Sequence, residues 1–190
     1  METITLGSAS PRRAEILDRL GINYIIRHPN INEEIDPLLS IEENSKKISI
    51  DKLNYIKKNY PHDKWILTAD TFIEFENCIL GKPVNREDAF KMLKALSGNK
   101  HIVLTGVSIY SKKLDITVTE IDKTAVIFKK LSDKEIDNYL NFNEWIDAAG
   151  SYQIQNRGEI LIDSINGSFS SVMGLPLSRI YGMFVSLNFY

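Results

Sequence analysis

The 190-residue sequence predicts an α/β fold: a mixed, twisted sheet flanked by helices, split into two lobes around a cleft. Three observations predict it. Apolar strand-like runs alternate with amphipathic helical runs up to Asp70. Hairpins then break the alternation, at Phe72–Leu80 and between the long runs His101–Tyr110 and Ile116–Phe128, so the sheet is mixed and not a pure βαβ succession. Helix-start signals recur along the chain, with capping boxes at Ser40-Ile41-Glu42-Glu43 and Ser132-Asp133-Lys134-Glu135.

Ile4 to Leu6 is the first strand, and Ala14 to Leu20 lies in the first helix, with Ser10 as N-cap and Pro11 at the first helical position, where its missing N–H is no loss. Tyr24 to Arg27 is a short second strand, followed by a polar loop, His28 to Leu39. The Ser40 box opens a helix to about Lys58. Trp65 to Thr68 is a strand that ends at Ala69-Asp70-Thr71, and the next hairpin turns at Asn77. Asn85 caps a helix with Ala89, Leu93 and Leu96 on one face and Gly98 at its C-terminal end. The Ser132 box starts a helix with Ile136, Tyr139 and Leu140 inward. Ile160 to Ile165 is a further strand, turned at Asn166-Gly167. Pro176 opens a last helix with Leu177, Ile180, Tyr181 and Phe184 as its apolar stripe. No repeat, low-complexity tract or linker interrupts residues 1–190, which read as a single domain.

Composition narrows the function classes. A formal net charge of −2 gives no general pull toward nucleic acid or an anionic membrane. Paired basics such as Lys46/Lys47 and Lys129/Lys130 lie among acidic residues, as solvated faces do. The single Cys78 excludes an intrachain disulfide and a multi-cysteine zinc site, and it fits a reducing cytoplasm. The N-terminal residues carry no basic segment ahead of an apolar run, and no stretch reaches the ~18 apolar residues a membrane helix needs. A cytoplasmic protein without nucleic-acid or membrane partners is the expectation.

The run Ser8-Ala9-Ser10-Pro11-Arg12-Arg13 carries an anomaly. Both arginines fall in the first turn of a helix, at the positive end of its dipole, where each cation is disfavoured by ~0.3–1 kcal/mol. A phosphate against them resolves the conflict, because helix N-termini and guanidinium forks both bind phosphate oxygens. Solvation on a surface turn is the alternative.

Lys52 is a second anomaly, since it lies four residues from both Ile48 and Ile56 and shares their helix line. On a buried face its ammonium needs an anionic partner, a carboxylate or a ligand phosphate; otherwise it snorkels to solvent. Asp70 stands at a strand end, where α/β proteins present catalytic groups, or else caps the turn to Thr71. Glu33 and Glu34 are solvated acids or, across a cleft from Asp70, ligands for Mg²⁺ or Mn²⁺. Lys82, between Gly81 and Pro83, is a rigidly offered ammonium or an ordinary turn residue. The amide-rich segment Gly150 to Gly158 can read a base edge, because an amide both donates and accepts. No Walker, G-x-G-x-x-G or G-x-S-x-G motif is present, and His28, His62 and His101 have no metal-ligand spacing.

Taken together, Ser8-x-Ser10-Pro11-Arg12-Arg13, Glu33, Lys52, Ala69-Asp70-Thr71, Gly81-Lys82-Pro83, Ser97-Gly98, Ile154-Gln155 and Val172-x-Gly174-Leu175-Pro176 resemble the Maf family of septum-formation-associated nucleotide pyrophosphatases. The resemblance spans nearly the whole chain. It implies a fold similar to the inosine triphosphatases, with a deep cleft, and hydrolysis of nucleoside triphosphates to monophosphate and pyrophosphate with a divalent cation. It implies Asp70 as the base that activates water, with Glu33 in reserve. Mg²⁺ or Mn²⁺ would sit on Glu33 and Asp70, and which carboxylate takes which task stays open.

Ser8, Ser10, Arg12, Arg13, Lys52, Thr71, Lys82 and Gln155 would bind substrate. Arg12, Thr71 and Gln155 resemble the specificity positions of the branch that cleaves dTTP and UTP. The chain departs from the usual pattern at Leu53, Ala148, Gln153 and Asn156, the last two beside the base-reading segment. Family similarity also allows a homodimer. The alternative is a non-enzymatic, nucleotide-binding regulator of septum formation and cell division, which would need the cations but not both Asp70 and Glu33.

Overall fold

The computed structural model describes residues 2–190. The strands β1 (Ile4–Gly7), β2 (Tyr24–Arg27), β3 (Trp65–Phe75), β4 (Cys78–Leu80), β5 (Lys100–Ser111), β6 (Ile116–Phe128) and β7 (Ile162–Asn166) follow the order β2-β1-β3-β5-β6-β7, with β4 paired to β3. The chain divides into two compact units, one taking the polypeptide up to Thr71 with Thr105–Asp122 and Gly174–Tyr190, the other Phe72–Leu104 with Lys123–Met173.

In the first unit, β1 (Ile4–Gly7) lies between two parallel partners. It pairs with β2 (Tyr24–Arg27) from Ile4↔Tyr24 to Gly7↔Arg27, and with β3 (Trp65–Phe75) from Thr5↔Ile66 to Gly7↔Thr68. Helix α1 (Pro11–Arg19) connects β1 to β2, and α2 (Ile41–Asn59) connects β2 to β3. All four residues of β1 are buried, as parallel strands covered on both faces should be. Ile4, Leu6, Ile16, Leu17, Ile48, Ile56 and Leu67 form the core there.

The last helix, α6 (Leu177–Ser186), turns Ile180, Met183 and Phe184 inward. Tyr181 departs from the expected stripe: it is 56% exposed and lies 5.4 Å from the Tyr190 ring, while Met183, on the opposite flank of the Ile180 and Phe184 line, is buried.

Strand β3 does not end at Asp70. Its pairing with β1 stops at Thr68, yet it runs on to Phe75, gaining β4 (Cys78–Leu80) as an antiparallel partner from Ile73↔Leu80 to Phe75↔Cys78. Asp70 is therefore a mid-strand residue beyond the last β1 pair and caps no turn. New ladder partners keep the backbone extended where the apolar run lapses. The hairpin turns at Glu76 and Asn77, both left-handed at φ 51° and 62°, which matches the twist of the flanking strands.

The second unit contains α3 (Arg86–Leu96), α4 (Asp133–Leu140) and the short α5 (Phe169–Val172), and the strands β5 (Lys100–Ser111) and β6 (Ile116–Phe128) contribute to both units. Asn85 and Ser132 accept from Asp88 N and Glu135 N, as their spacing predicts. β7 (Ile162–Asn166) is antiparallel to β6 and begins later than expected, since Arg157–Leu161 winds into a 3₁₀ turn. Ala89, Leu93, Ile136, Tyr139 and Leu140 form the core of this unit, beside edge-to-face contacts of His101, Phe128 and Tyr152 with centroids 5.1, 5.5 and 5.0 Å apart. Among the described residues, no helix is long and apolar enough to cross a membrane.

Candidate active site

Helix α2 supplies the centre of the site. Ser40 accepts from Glu43 N and the Glu43 side chain accepts from Ser40 N, so two orphan donors are met at the helix start. From there the buried line runs through Ser45, Ile48, Ser49, Lys52 and Ile56. Lys52 does not snorkel. Its Nζ donates to Asp70 Oδ1 at 2.7 Å and lies 3.0 Å from Glu33 Oε1. The Lys52 and Asp70 side chains are each 7% exposed, whereas Glu33 is 51% exposed. Asp70 Oδ2 is buried with no hydrogen-bond partner.

The polar residues Ser45 and Asn44 position this centre. Ser45 Oγ donates to the Asp70 carbonyl at 3.1 Å and accepts from Gly106 N at 2.8 Å, tying α2 to β3 and β5. Gly106 allows that approach, since a Cβ there would stand 2.6 Å from the Ser45 carbonyl. Asn44 donates to the carbonyls of Asp36, Leu39 and Ser40 and accepts from Asp36 N, which fixes the end of the loop that carries Glu33. Neither residue was singled out from sequence. The available signal was a polar side chain four and three residues ahead of Ile48 on a helix line already assigned to the interior.

At the start of α1, Ser10 has N-cap backbone geometry but makes no side-chain cap. Ser8 Oγ accepts from Ser10 N at 3.1 Å and from Arg13 Nη1 at 3.0 Å. The Arg13 guanidinium is buried, donating from Nε to the Gly174 carbonyl at 3.0 Å and from Nη2 to Thr71 Oγ1 at 3.2 Å. Thr71 in turn meets Thr105 Oγ1 at 3.1 Å. Gly174 has φ 108°, a conformation for glycine, and a Cβ on it would press on Arg13 Nε at 3.3 Å. Burial pushes the Arg13 pKa down, while the charges of Asp70 and Glu33 oppose that shift. The unfavourable helix-end arginine is thus met by oxygens of the protein itself. Arg12 is half-buried on the same turn.

The structure therefore gathers Ser8, Ser10, Arg12, Arg13, Glu33, Lys52, Asp70 and Thr71 within the first unit. Lys82 and Gln155 belong to the second. There Lys82 is exposed with Asp147 at 3.5 Å, and the Gly81 carbonyl accepts from Gly150 N at 3.0 Å, tying the lysine's segment to the amide-rich loop. Gln155 Oε1 is, like Asp70 Oδ2, buried and unpartnered.

Fold and site define an α/β protein in which basic side chains and two carboxylates collect beyond the paired end of a parallel β-layer. The chain belongs to the family of Maf-like proteins, whose model matches residues 3–187. It is 39% identical to a dTTP/UTP pyrophosphatase of Caldicellulosiruptor bescii, over 100% of this chain and 96% of that one. It is 41% identical to a dTTP/UTP pyrophosphatase of Bacillus anthracis, over 95% of this chain and 93% of that one. A crystal structure of a Vibrio cholerae protein shares the fold, with a TM-score of 0.51, 11% identity, and coverage of 100% of this chain and 99% of the other.

Proposed function

We propose that the protein hydrolyses nucleoside triphosphates, dTTP and UTP above all, to the nucleoside monophosphate and pyrophosphate. The names of its relatives support the substrate class. The observation that carries the reading is Asp70: one carboxylate oxygen is occupied by Lys52, and the other is buried and free to take a proton. A water oxygen forms a bond to the α-phosphorus as the bond from that phosphorus to the bridging oxygen breaks. The water proton passes to Asp70 Oδ2, and pyrophosphate leaves with the bridging oxygen and its electron pair.

Arg12, Arg13, Lys52 and Lys82 offset the substrate's charge, each charge-assisted hydrogen bond contributing about 1.5–3 kcal/mol. Ser8, Thr71 and Gly174 hold the Arg13 fork in place before substrate arrives. Gln155, with Arg12 and Thr71, reads the base.

The donor set fits a hard divalent cation such as Mg²⁺ or Mn²⁺. It offers two carboxylates, one with an orphaned buried oxygen, and Mg²⁺ commonly takes one or two carboxylates with phosphate oxygens and waters as its other ligands. Glu33 and Asp70 would hold the ion, and it would neutralise charge on the phosphoryl oxygens. A carboxylate on the ion is no free base, so where Asp70 takes the proton, Glu33 carries the ion. The exposed Cys78 and the nucleotide substrate suit a reducing cytoplasm.

The test is pyrophosphate release from a panel of triphosphates with Mg²⁺, with Mn²⁺ and with chelator. Turnover of dTTP and UTP that needs the cation and vanishes in Asp70→Asn is the expected result. Unchanged turnover in Asp70→Asn overturns the assignment of the base.

A further inference from the structure

The buried, unpartnered oxygen of Gln155 sits in a network whose direction can be read without ambiguity. Gln153 Nε2 donates to the Glu144 backbone carbonyl at 2.8 Å. A carbonyl can only accept, so this contact settles which end of the Gln153 amide is nitrogen. Its other end, Oε1, is then an acceptor, and it takes Asn156 Nδ2 at 3.1 Å and Gln155 Nε2 at 3.3 Å. Gln155 must therefore turn its amine toward Gln153, which leaves its own Oε1 as the buried atom without a partner. Gln153 is itself anchored, since its backbone N donates to Tyr139 Oη at 3.2 Å and Tyr139 is fully buried. Glu144, the root of the network, also accepts from Gly158 N at 3.3 Å and Arg157 N at 3.4 Å, closing the loop around Gln155.

We infer that Gln153 is a positioning residue that fixes the orientation of the Gln155 carboxamide, and that the fixed amide selects pyrimidines carrying a hydrogen on N3. This rests on the reading of Gln155 as the group that meets the base. A buried acceptor left unpaired is unfavourable until a donor arrives. The imide edge of uracil or thymine has N3–H between two carbonyls. It pairs with a fixed oxygen-and-amine couple whichever carbonyl lies on the amine side. Cytosine has a lone pair at N3, so an amide that cannot rotate sets oxygen against it. An amide free to flip would present its N–H to cytosine instead. Discrimination then resides in Gln153 as much as in Gln155.

Two variants of the full-length protein test this with UTP and CTP as substrates. Gln153→Met keeps the size of the side chain and removes the acceptor. Its kcat/KM for CTP should rise and the UTP-to-CTP ratio should fall at least tenfold, a gain that mere loosening of the loop would not produce. Gln153→Ala also removes the acceptor and should lower the ratio in the same direction, which covers the case of a Gln153→Met protein that does not fold. A UTP-to-CTP ratio equal to wild type in either folded variant overturns the role of Gln153 while leaving hydrolysis intact. Wild-type protein that hydrolyses neither triphosphate removes the pyrophosphatase reading, and the inference with it.

Discussion

Lys52 Nζ lies 2.7 Å from Asp70 Oδ1, with both side chains almost wholly out of water. The pair is asymmetric. Lys52 has a second anion, Glu33, at 3.0 Å, whereas among the described residues Lys52 is the one hydrogen-bond donor on the Asp70 carboxylate oxygens. Removing the lysine strands a buried charge, while removing the carboxylate leaves the ammonium a partner. Lys52→Met should therefore cost about 3–5 kcal/mol of stability and Asp70→Asn clearly less. Urea unfolding of the two variants checks the order, and equal losses would contradict it.

Arg13 is held by three oxygens from Ser8, Thr71 and Gly174. A lysine ammonium cannot reproduce that planar fork. On the proposed reading, in which Arg13 meets the triphosphate, Arg13→Lys should lower kcat/KM by about 100-fold, to a similar factor for UTP, dTTP and CTP. A loss confined to one base would contradict phosphate contact.

The Gly174 carbonyl belongs to the same cluster. Gly174→Ala forces a left-handed φ on alanine and presses its Cβ on Arg13, so about 1–3 kcal/mol of stability should be lost. Thermal unfolding measures it, and an unchanged midpoint would show that the backbone relaxes without strain.

Ser45 satisfies a carbonyl of β3 and an N–H of β5 at once. Ser45→Ala removes a hydrogen bond from each of these two backbone groups and should cost about 1–3 kcal/mol. Since one of them belongs to Asp70, pyrophosphate release should fall along with stability; a stable, fully active variant would refute the positioning role.

His101 supplies a pH dependence. Burial lowers its pKa from 6.5 to about 4, and its Nδ1 has no acceptor to offer a second proton. Between those values the unfolded chain binds more protons than the folded one, so stability is full above about pH 6.5 and falls as pH drops toward 4. The contribution lost is about 3 kcal/mol, at ~1.4 kcal/mol for each pH unit. His101→Gln should flatten the slope of unfolding free energy between pH 7 and 5, and an unchanged slope would assign the effect to other groups.

Local sequence was enough to determine whatever depends on neighbours within about four residues. Capping boxes at Ser40 and Ser132, the cap at Asn85, the Glu76-Asn77 hairpin and the line from Ile48 through Lys52 to Ile56 are all such features, and each stands where the spacing put it. The expectation for Lys52 also follows from that line, because a charge on a buried helix face needs a counter-charge. Tertiary structure decided which one. It also carried β3 through Asp70, turned Tyr181 to solvent while burying Met183, and placed the Gly174 carbonyl on Arg13. These outcomes depend on groups brought together from remote parts of the chain, where no periodicity or cap reports who the partner is. Propensity acts along the backbone, whereas desolvation and hydrogen-bond satisfaction act across space, and the chemistry of this site belongs to the second kind.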